Sequence, residues 1–167
     1  MLGDNAYNSG LDSEYQAAVF DMYPTILRNT VLWPTIGNHD TAQQTAIANF
    51  PYLDNFTLPQ AGEAGGVASG TERYYSFDCA NIHFICLDSM TSGRATNTAM
   101  FHWLRSDLEA TAQEWIIAFW HHPPYTKGSH NSDLEPDLVE IRRNFLPLLE
   151  SHGVDLVLAG QIGRAHV

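Results

Sequence analysis

The stretch Pro34-Thr35-Ile36-Gly37-Asn38-His39-Asp40 follows the apolar run Val31-Leu32-Trp33. The pattern predicts a short buried strand, Val31 to Ile36, delivering Gly-Asn-His-Asp into a loop, where site residues are commonly presented. Gly37 permits a tight turn, the amide oxygen of Asn38 is a metal-ligand type, and His39 can donate a hydrogen bond or a proton. A polar turn after a strand has the same local signature, so the reading rests on what the other strand ends carry.

Two other stretches share this grammar. Gly3-Asp4-Asn5-Ala6-Tyr7 opens the chain, and Trp115-Ile116-Ile117-Ala118-Phe119-Trp120 runs into His121-His122-Pro123-Pro124-Tyr125. A carboxylate, a phenol, an amide and an imidazole are thus each offered at or near a strand end. With oxygen and nitrogen but no thiolate, the set suits hard to borderline divalent or trivalent metals better than a structural zinc knot.

In this order and context, Gly3-Asp4-x-x-Tyr7, Gly37-Asn38-His39-Asp40 and His121-His122-Pro123 resemble the motifs of the calcineurin-like metallophosphoesterases. Tyr7, three residues after Asp4, makes the chain most similar to the purple acid phosphatase branch. The resemblance spans Gly3 to Gly160. It implies an α/β fold, the two-sheet αββα sandwich of the metallo-dependent phosphatases, incomplete at both ends. It implies two metal ions of the Fe, Zn or Mn type, with Asp4 bridging them, Tyr7 on the first, and Asn38 and His121 on the second. Phenolate ligation by Tyr7 would favour a ferric first ion; without it, two divalent ions are expected. His39 would face the phosphate just outside the metals, with His130, nine residues after His121, a second candidate for protonating the leaving group. His122 and Asp40 are expected to support the site or face the cleft.

The implied reaction is hydrolysis of a small phosphorylated substrate: two cations neutralise the phosphate oxygens and hold a metal-bound hydroxide in line, with bound water acidified toward a pKa of about 7. The alternative is a non-catalytic binding module on the same fold. A nuclease of the same superfamily is a weaker reading, because the chain has no basic groove.

Departures from the pattern matter as much. An Asp-x-His or Gly-Asp-x-Gly motif would lie upstream of Met1, and Gly-His-x-His should follow Val157-Leu158-Ala159, where Gly160-Gln161-Ile162-Gly163-Arg164 stands instead. Gln161 to Val167 can be written in codons that match a common sequencing adapter read in frame. Residues 1–160 are therefore expected to be a partial metallophosphoesterase catalytic domain, inactive as it stands, and 161–167 a non-native tail.

Composition narrows the classes. At 167 residues and 44% hydrophobic content the chain can bury one domain core. Its formal charge of -11 argues against a surface for nucleic-acid phosphates, and no apolar run approaches the ~20 residues of a membrane span. Met1 leads straight into the first motif, so no signal peptide is legible. The compartment and oligomeric state are left open. Cys79 and Cys86 flank Ala80-Asn81 with neither Cys-x-x-Cys nor zinc-ribbon spacing, and read as packed thiols or a hairpin bridge.

Along the chain, Asp12 to Asn29 has helical spacing at Tyr15, Ala18, Val19, Met22 and Tyr23, with Asp12 or Ser13 as cap and Pro24 a kink or an end. Thr41 to Thr71 reads as a long loop, which the resemblance would place at the substrate cleft. Arg73 to Phe77 and Ile82 to Leu87 predict an antiparallel hairpin. Helices are expected over Thr98 to Ala110 and Glu135 to Ser151, the latter ended by Gly153, and strands over Trp115 to Trp120 and Val154 to Ala159. His83, His102 and His152 fall inside these patterns and are assigned to structure; Asp54 and Asp88 are read as capping or supporting carboxylates.

The tail expectation is checked on uninterrupted genomic DNA: the gene should continue Gly-His-x-His in place of Gly160-Gln161, and natural DNA encoding Gln161-Ile162 would refute it.

Overall fold

The protein is described here by a computed structural model, which describes residues 1–42 and 50–161. Tyr, Phe and Ile on either side of Ala80-Asn81 build the hairpin. Tyr75–Cys79 (β1) and Ile82–Cys86 (β2) pair antiparallel, with Ala80 taking a left-handed φ of 54° at the turn. Trp115–Trp120 (β3) and Leu156–Ala159 (β4) add in parallel, giving a four-stranded sheet of order β1-β2-β3-β4.

Parallel pairing demands crossovers. The first is α4 (Ala99–Ala110), between β2 and β3; earlier in the chain lie α1 (Asp12–Tyr15), α2 (Pro24–Leu27) and α3 (Pro51–Asn55). The second crossover is continuous helix: α5 (Pro136–Glu140), a π-helical turn over Ile141–Phe145, and α6 (Leu146–Ser151).

Because successive strand residues face opposite sides, the sheet sorts two cores. Ile85, Ile116, Ala118 and Trp120 meet Leu104, Leu108, Phe145 and Leu149 of the crossover helices. On the other face Tyr75, Phe77, Cys86 and Phe119 meet Ala6, Tyr15, Val19, Ile36, Tyr52 and Phe56 from the N-terminal third. The mixed α/β architecture matches the expectation. Among the described residues there is one sheet, and the N-terminal segments lie across its second face without forming a ladder of their own.

The hairpin, β3, α4 and the long last helix fall within a residue or two of their expected limits, and Gly153 follows the last helix at φ 72°. Four expectations need correction. Val31 to Ile36 is not a ladder strand, and Val31 is 68% exposed. Pro34 has no N–H to donate to a ladder, and its carbonyl accepts side-chain bonds from Tyr52 Oη at 2.9 Å and Tyr75 Oη at 2.7 Å. A single rung joins this segment to the chain start: the Met1 ammonium donates to Trp33 O at 2.8 Å and Thr35 N–H to Met1 O at 3.0 Å.

The helix expected over Asp12 to Asn29 is broken into α1, a π-helical turn over Gln16–Phe20, and α2. It buries Tyr15 and Val19 but leaves Ala18, Met22 and Tyr23 exposed. Its start is held not by Asp12 or Ser13 but by Glu14, whose carboxylate accepts the N–H groups of Asn8, Ser9 and Leu11.

The long loop is more ordered than expected, since α3 with Phe50, Phe56 and Leu58 packs into the core; its residues 43–49 lie outside the described residues. The cysteines are both free thiols, Cys79 exposed and Cys86 buried, and burial pushes Cys86 up to about 12. The expected tail, apart from Gln161, also lies outside the described residues. No helix among the described residues is long and apolar enough to cross a membrane.

Phe145 is wholly buried, edge-on to Phe101 at 5.4 Å between ring centroids. Phe145→Ala should cost about 3–5 kcal/mol in urea unfolding, whereas exposed Val31→Ala should stay within about 0.5 kcal/mol.

Candidate metal centre

The site is assembled where three chain segments meet beyond the sheet: residues 3–7, the 37–40 turn, and the loop leaving β3 at His121. What ties the first two together is Asp40, 1% exposed. Its carboxylate accepts Gly37 N–H at 2.8 Å, Asn5 N–H and Asn5 Nδ2–H at 3.1 Å, and Tyr15 Oη–H at 2.5 Å. Asn5 Nδ2 also donates to Thr35 O at 2.9 Å. Burial raises the Asp40 carboxyl against the downward pull of these donors, and it drives the Tyr15 phenol well above its usual range.

Close approach of backbones completes the arrangement. A Cβ on Gly37 would lie 2.1 Å from Asp4 N and 2.4 Å from Asp4 Oδ1, so no other residue fits there. Asp4 itself takes a left-handed φ of 54°, a conformation that an aspartate adopts at a cost and that points its carboxylate back over the 37–40 turn. Its Oδ1 accepts His39 N–H at 3.0 Å and its Oδ2 accepts the Tyr7 hydroxyl at 2.9 Å.

His121 is wholly buried, and its orientation is set from the far end of the chain. Nδ1 meets the Leu2 carbonyl at 2.9 Å; a carbonyl only accepts, so Nδ1 carries a proton and Nε2 is the nitrogen left to ligate. That Nε2 faces Asn38 Oδ1 at 3.1 Å and Asp4 Oδ1 at 3.5 Å. With Nε2 unprotonated, these three atoms form a donor set that a cation would fit.

The structure thus brings together Asp4, Tyr7, Asn38, His39 and His121. Among the described residues no group of three or more His, Cys, Asp and Glu clusters as a metal site does, because two of the converging ligand types here are an amide and a phenol. Tyr7 is pushed up to about 12 by burial and then by its bond to Asp4, so it is a protonated phenol at neutral pH. His39 lies tilted beside Tyr7 with centroids 4.2 Å apart and bonds through Nδ1 to Asn8 O at 2.7 Å; among the described residues its Nε2 has no hydrogen-bond partner.

His122 turns away, its Nδ1 3.0 Å from both Ser89 O and Ser89 Oγ, and burial followed by the neighbouring His121 pushes it down to about 4. It is therefore neutral and supports the loop from beneath. His130 is bonded through Nδ1 to Glu135 Oε2 at 2.7 Å, and among the described residues no contact joins it to the cluster.

Sequence reasoning missed Asn5, Tyr15, Ser89 and the Leu2 carbonyl. Only Asn5, polar beside Asp4, carried any local signal. Gly160 also reaches the site: its N–H donates to His121 O at 3.0 Å, and a Cβ there would strike Leu2 O at 2.0 Å. Next to it, Gln161 Oε1 is buried without a hydrogen-bond partner among the described residues, as is Asn5 Oδ1.

Comparison with known proteins adds an independent observation. The family model of the calcineurin-like phosphoesterases matches residues 1–161. Similar curated proteins include purple acid phosphatase 23 of Arabidopsis thaliana, 31% identical over 131 residues covering 75% of this chain and 27% of that protein. Purple acid phosphatase 15 of the same plant is 29% identical over 131 residues, 75% of this chain and 23% of its own length. Purple acid phosphatase 18 is 30% identical over 132 residues, 77% and 29% respectively. The chain thus spans about a quarter of the length of the curated relatives it matches.

Asp40→Ala would leave several buried donors unpaired at about 1–3 kcal/mol each, so a loss of at least about 3 kcal/mol is expected in denaturant unfolding. Tyr15→Phe should cost only about 1–2 kcal/mol, and the double variant should show coupling between the two positions.

Proposed function

The chain belongs to the calcineurin-like phosphoesterase family, and from that premise we propose that it serves metal-dependent hydrolysis of small phosphorylated substrates. The observation that carries this reading is the convergence of His121 Nε2, Asn38 Oδ1 and Asp4 Oδ1. Asp4, Asn38 and His121 would hold one ion, and Asp4 with Tyr7 a second. Such ions would supply positive charge for the phosphate oxygens and acidify a water.

The chain's own residues do the rest. Asp40 keeps the two ligand loops in register, and the Leu2 carbonyl fixes the His121 tautomer that can ligate. His39, with Nδ1–H spent on Asn8 O, would donate from Nε2 to an equatorial phosphate oxygen or to the leaving alkoxide in its doubly protonated form, the only one that carries hydrogen on both nitrogens. Acid–base help of this kind is worth about 10²–10⁴-fold. A net charge of -11 would repel an anionic ester; bound cations reverse the sign locally. His130, held by Glu135, serves only where its loop is drawn toward the substrate.

The orphaned amide oxygen of Gln161 supports a further element of the reading, that an imidazole at this position completes the donor set. Calorimetric titration with Mn²⁺ or Zn²⁺ should show weak binding by the chain and at least about tenfold tighter binding by Gln161→His. Asn38→Ala should weaken it by about tenfold or more, and in a chain with both terminal motifs restored p-nitrophenyl phosphate hydrolysis should fall in parallel. Metal affinity indifferent to both Asn38→Ala and His121→Ala would overturn the proposal.

A further inference from the structure

His83 lies on β2 and plays no part in the site. Its ring is wholly buried, yet both nitrogens face carboxylates: Nδ1 is 2.7 Å from Asp78 Oδ1 on β1, and Nε2 is 2.8 Å from Asp107 Oδ2 on α4. An ionised carboxylate only accepts, so both bonds are made at once only when both ring nitrogens carry hydrogen, that is, by an imidazolium.

Each acid is also committed elsewhere. Asp107, itself wholly buried, accepts Val67 N–H at 2.7 Å and Ser76 Oγ–H at 2.9 Å through Oδ1. Asp78 Oδ2 accepts Gln113 Nε2–H at 2.9 Å. The turn before Val67 is shaped to the cluster: a Cβ on Gly66, at φ 88°, would fall 2.0 Å from Ser76 Oγ and 2.8 Å from Asp107 Oδ1.

We propose that His83 is a proton-dependent clamp, fastening α4 and the 65–67 turn to the β1–β2 hairpin while its ring is doubly protonated and loosening them when it is not. The titratable groups facing the ring are Asp78 from β1 and Asp107 from α4. Ser76, Gln113 and the Val67 amide are the neutral partners, and β3 presents Ile116 at the paired position. Loss of the ring proton sets a lone pair against a carboxylate, which removes one charge-assisted bond and leaves that acid with only its neutral donors. A cavity of about 350 Å³, lined by Gly66, Val67, Asp78, His83, Thr111 and Gln113, adjoins the ring and gives solvent a way in once the turn lifts.

The sign follows from the groups. Burial alone would lower the imidazole, but the bonds to Asp107 and Asp78 outweigh it and hold the ring above its ordinary value. The clamp's contribution is therefore complete below the unfolded value of about 6.5 and is lost as pH rises through the raised folded value.

The test is NMR of the ¹⁵N-labelled full chain across pH, following the His83 ring and the Val67 amide. The expected result is two protonated ring nitrogens at neutral pH, a His83 midpoint above about 6.5, and Val67 protection that falls as His83 deprotonates. After correction for base-catalysed intrinsic exchange, the fall should be about tenfold for each unit by which the folded midpoint exceeds the unfolded one. Asp78→Asn, at a partly exposed partner, should lower the midpoint and shrink that fall. A single neutral tautomer at pH 6, a midpoint at or below the ordinary one, or an Asp78→Asn midpoint identical to that of the parent chain would each overturn the proposal.

Discussion

The buried carboxylate of Asp40 is the constraint on which the site depends. Alone in the interior it would be costly, and it is stable only because Gly37, Asn5 and Tyr15 all aim donors at it. Those donors come from the 37–40 turn, from the opening loop and from α1, so satisfying one acid places three segments in register. Asp4 and Asn38 can then meet only where they do. The absence of a Cβ at Gly37 is the complementary condition, because any side chain would drive the two loops apart.

A second knot fixes the same loop to the sheet. The Pro34 carbonyl accepts from Tyr52 and Tyr75, and the Cys86 thiol approaches it at 3.6 Å. Since proline cannot donate to a ladder, the segment preceding Gly37 is held by hydroxyls from α3 and β1 in place of a neighbouring strand. This is why a stretch that reads as strand joins no ladder, and why it still delivers Gly37 to a defined point over the second face of the sheet.

Two buried imidazoles in this chain show how partners decide chemistry. His83 has an acid at each nitrogen and is built to keep its charge. His121 has a backbone carbonyl at one nitrogen and the oxygens of Asn38 and Asp4 at the other, so Nδ1 is the nitrogen held by the backbone and Nε2 the one that faces the other ligand-type atoms. Neither difference could be read from the neighbouring residues, since both histidines lie in or beside an apolar strand.

The α/β class, the hairpin, β3, α4 and the last helix are legible in the sequence alone, as is the order of Asp4, Asn38 and His121, although only His121 follows directly from one of those elements, β3. These features are local, written in a two- or near-four-residue periodicity and in turn residues a few positions apart. The tertiary structure alone decided that α1 would break after Tyr15, that His122 would turn toward Ser89 while His121 faced Asn38, and that Leu2, 119 residues away, would select the His121 tautomer. Such choices depend on which distant backbone groups need partners once packing has brought them together, and no short window of sequence contains both halves of the pair.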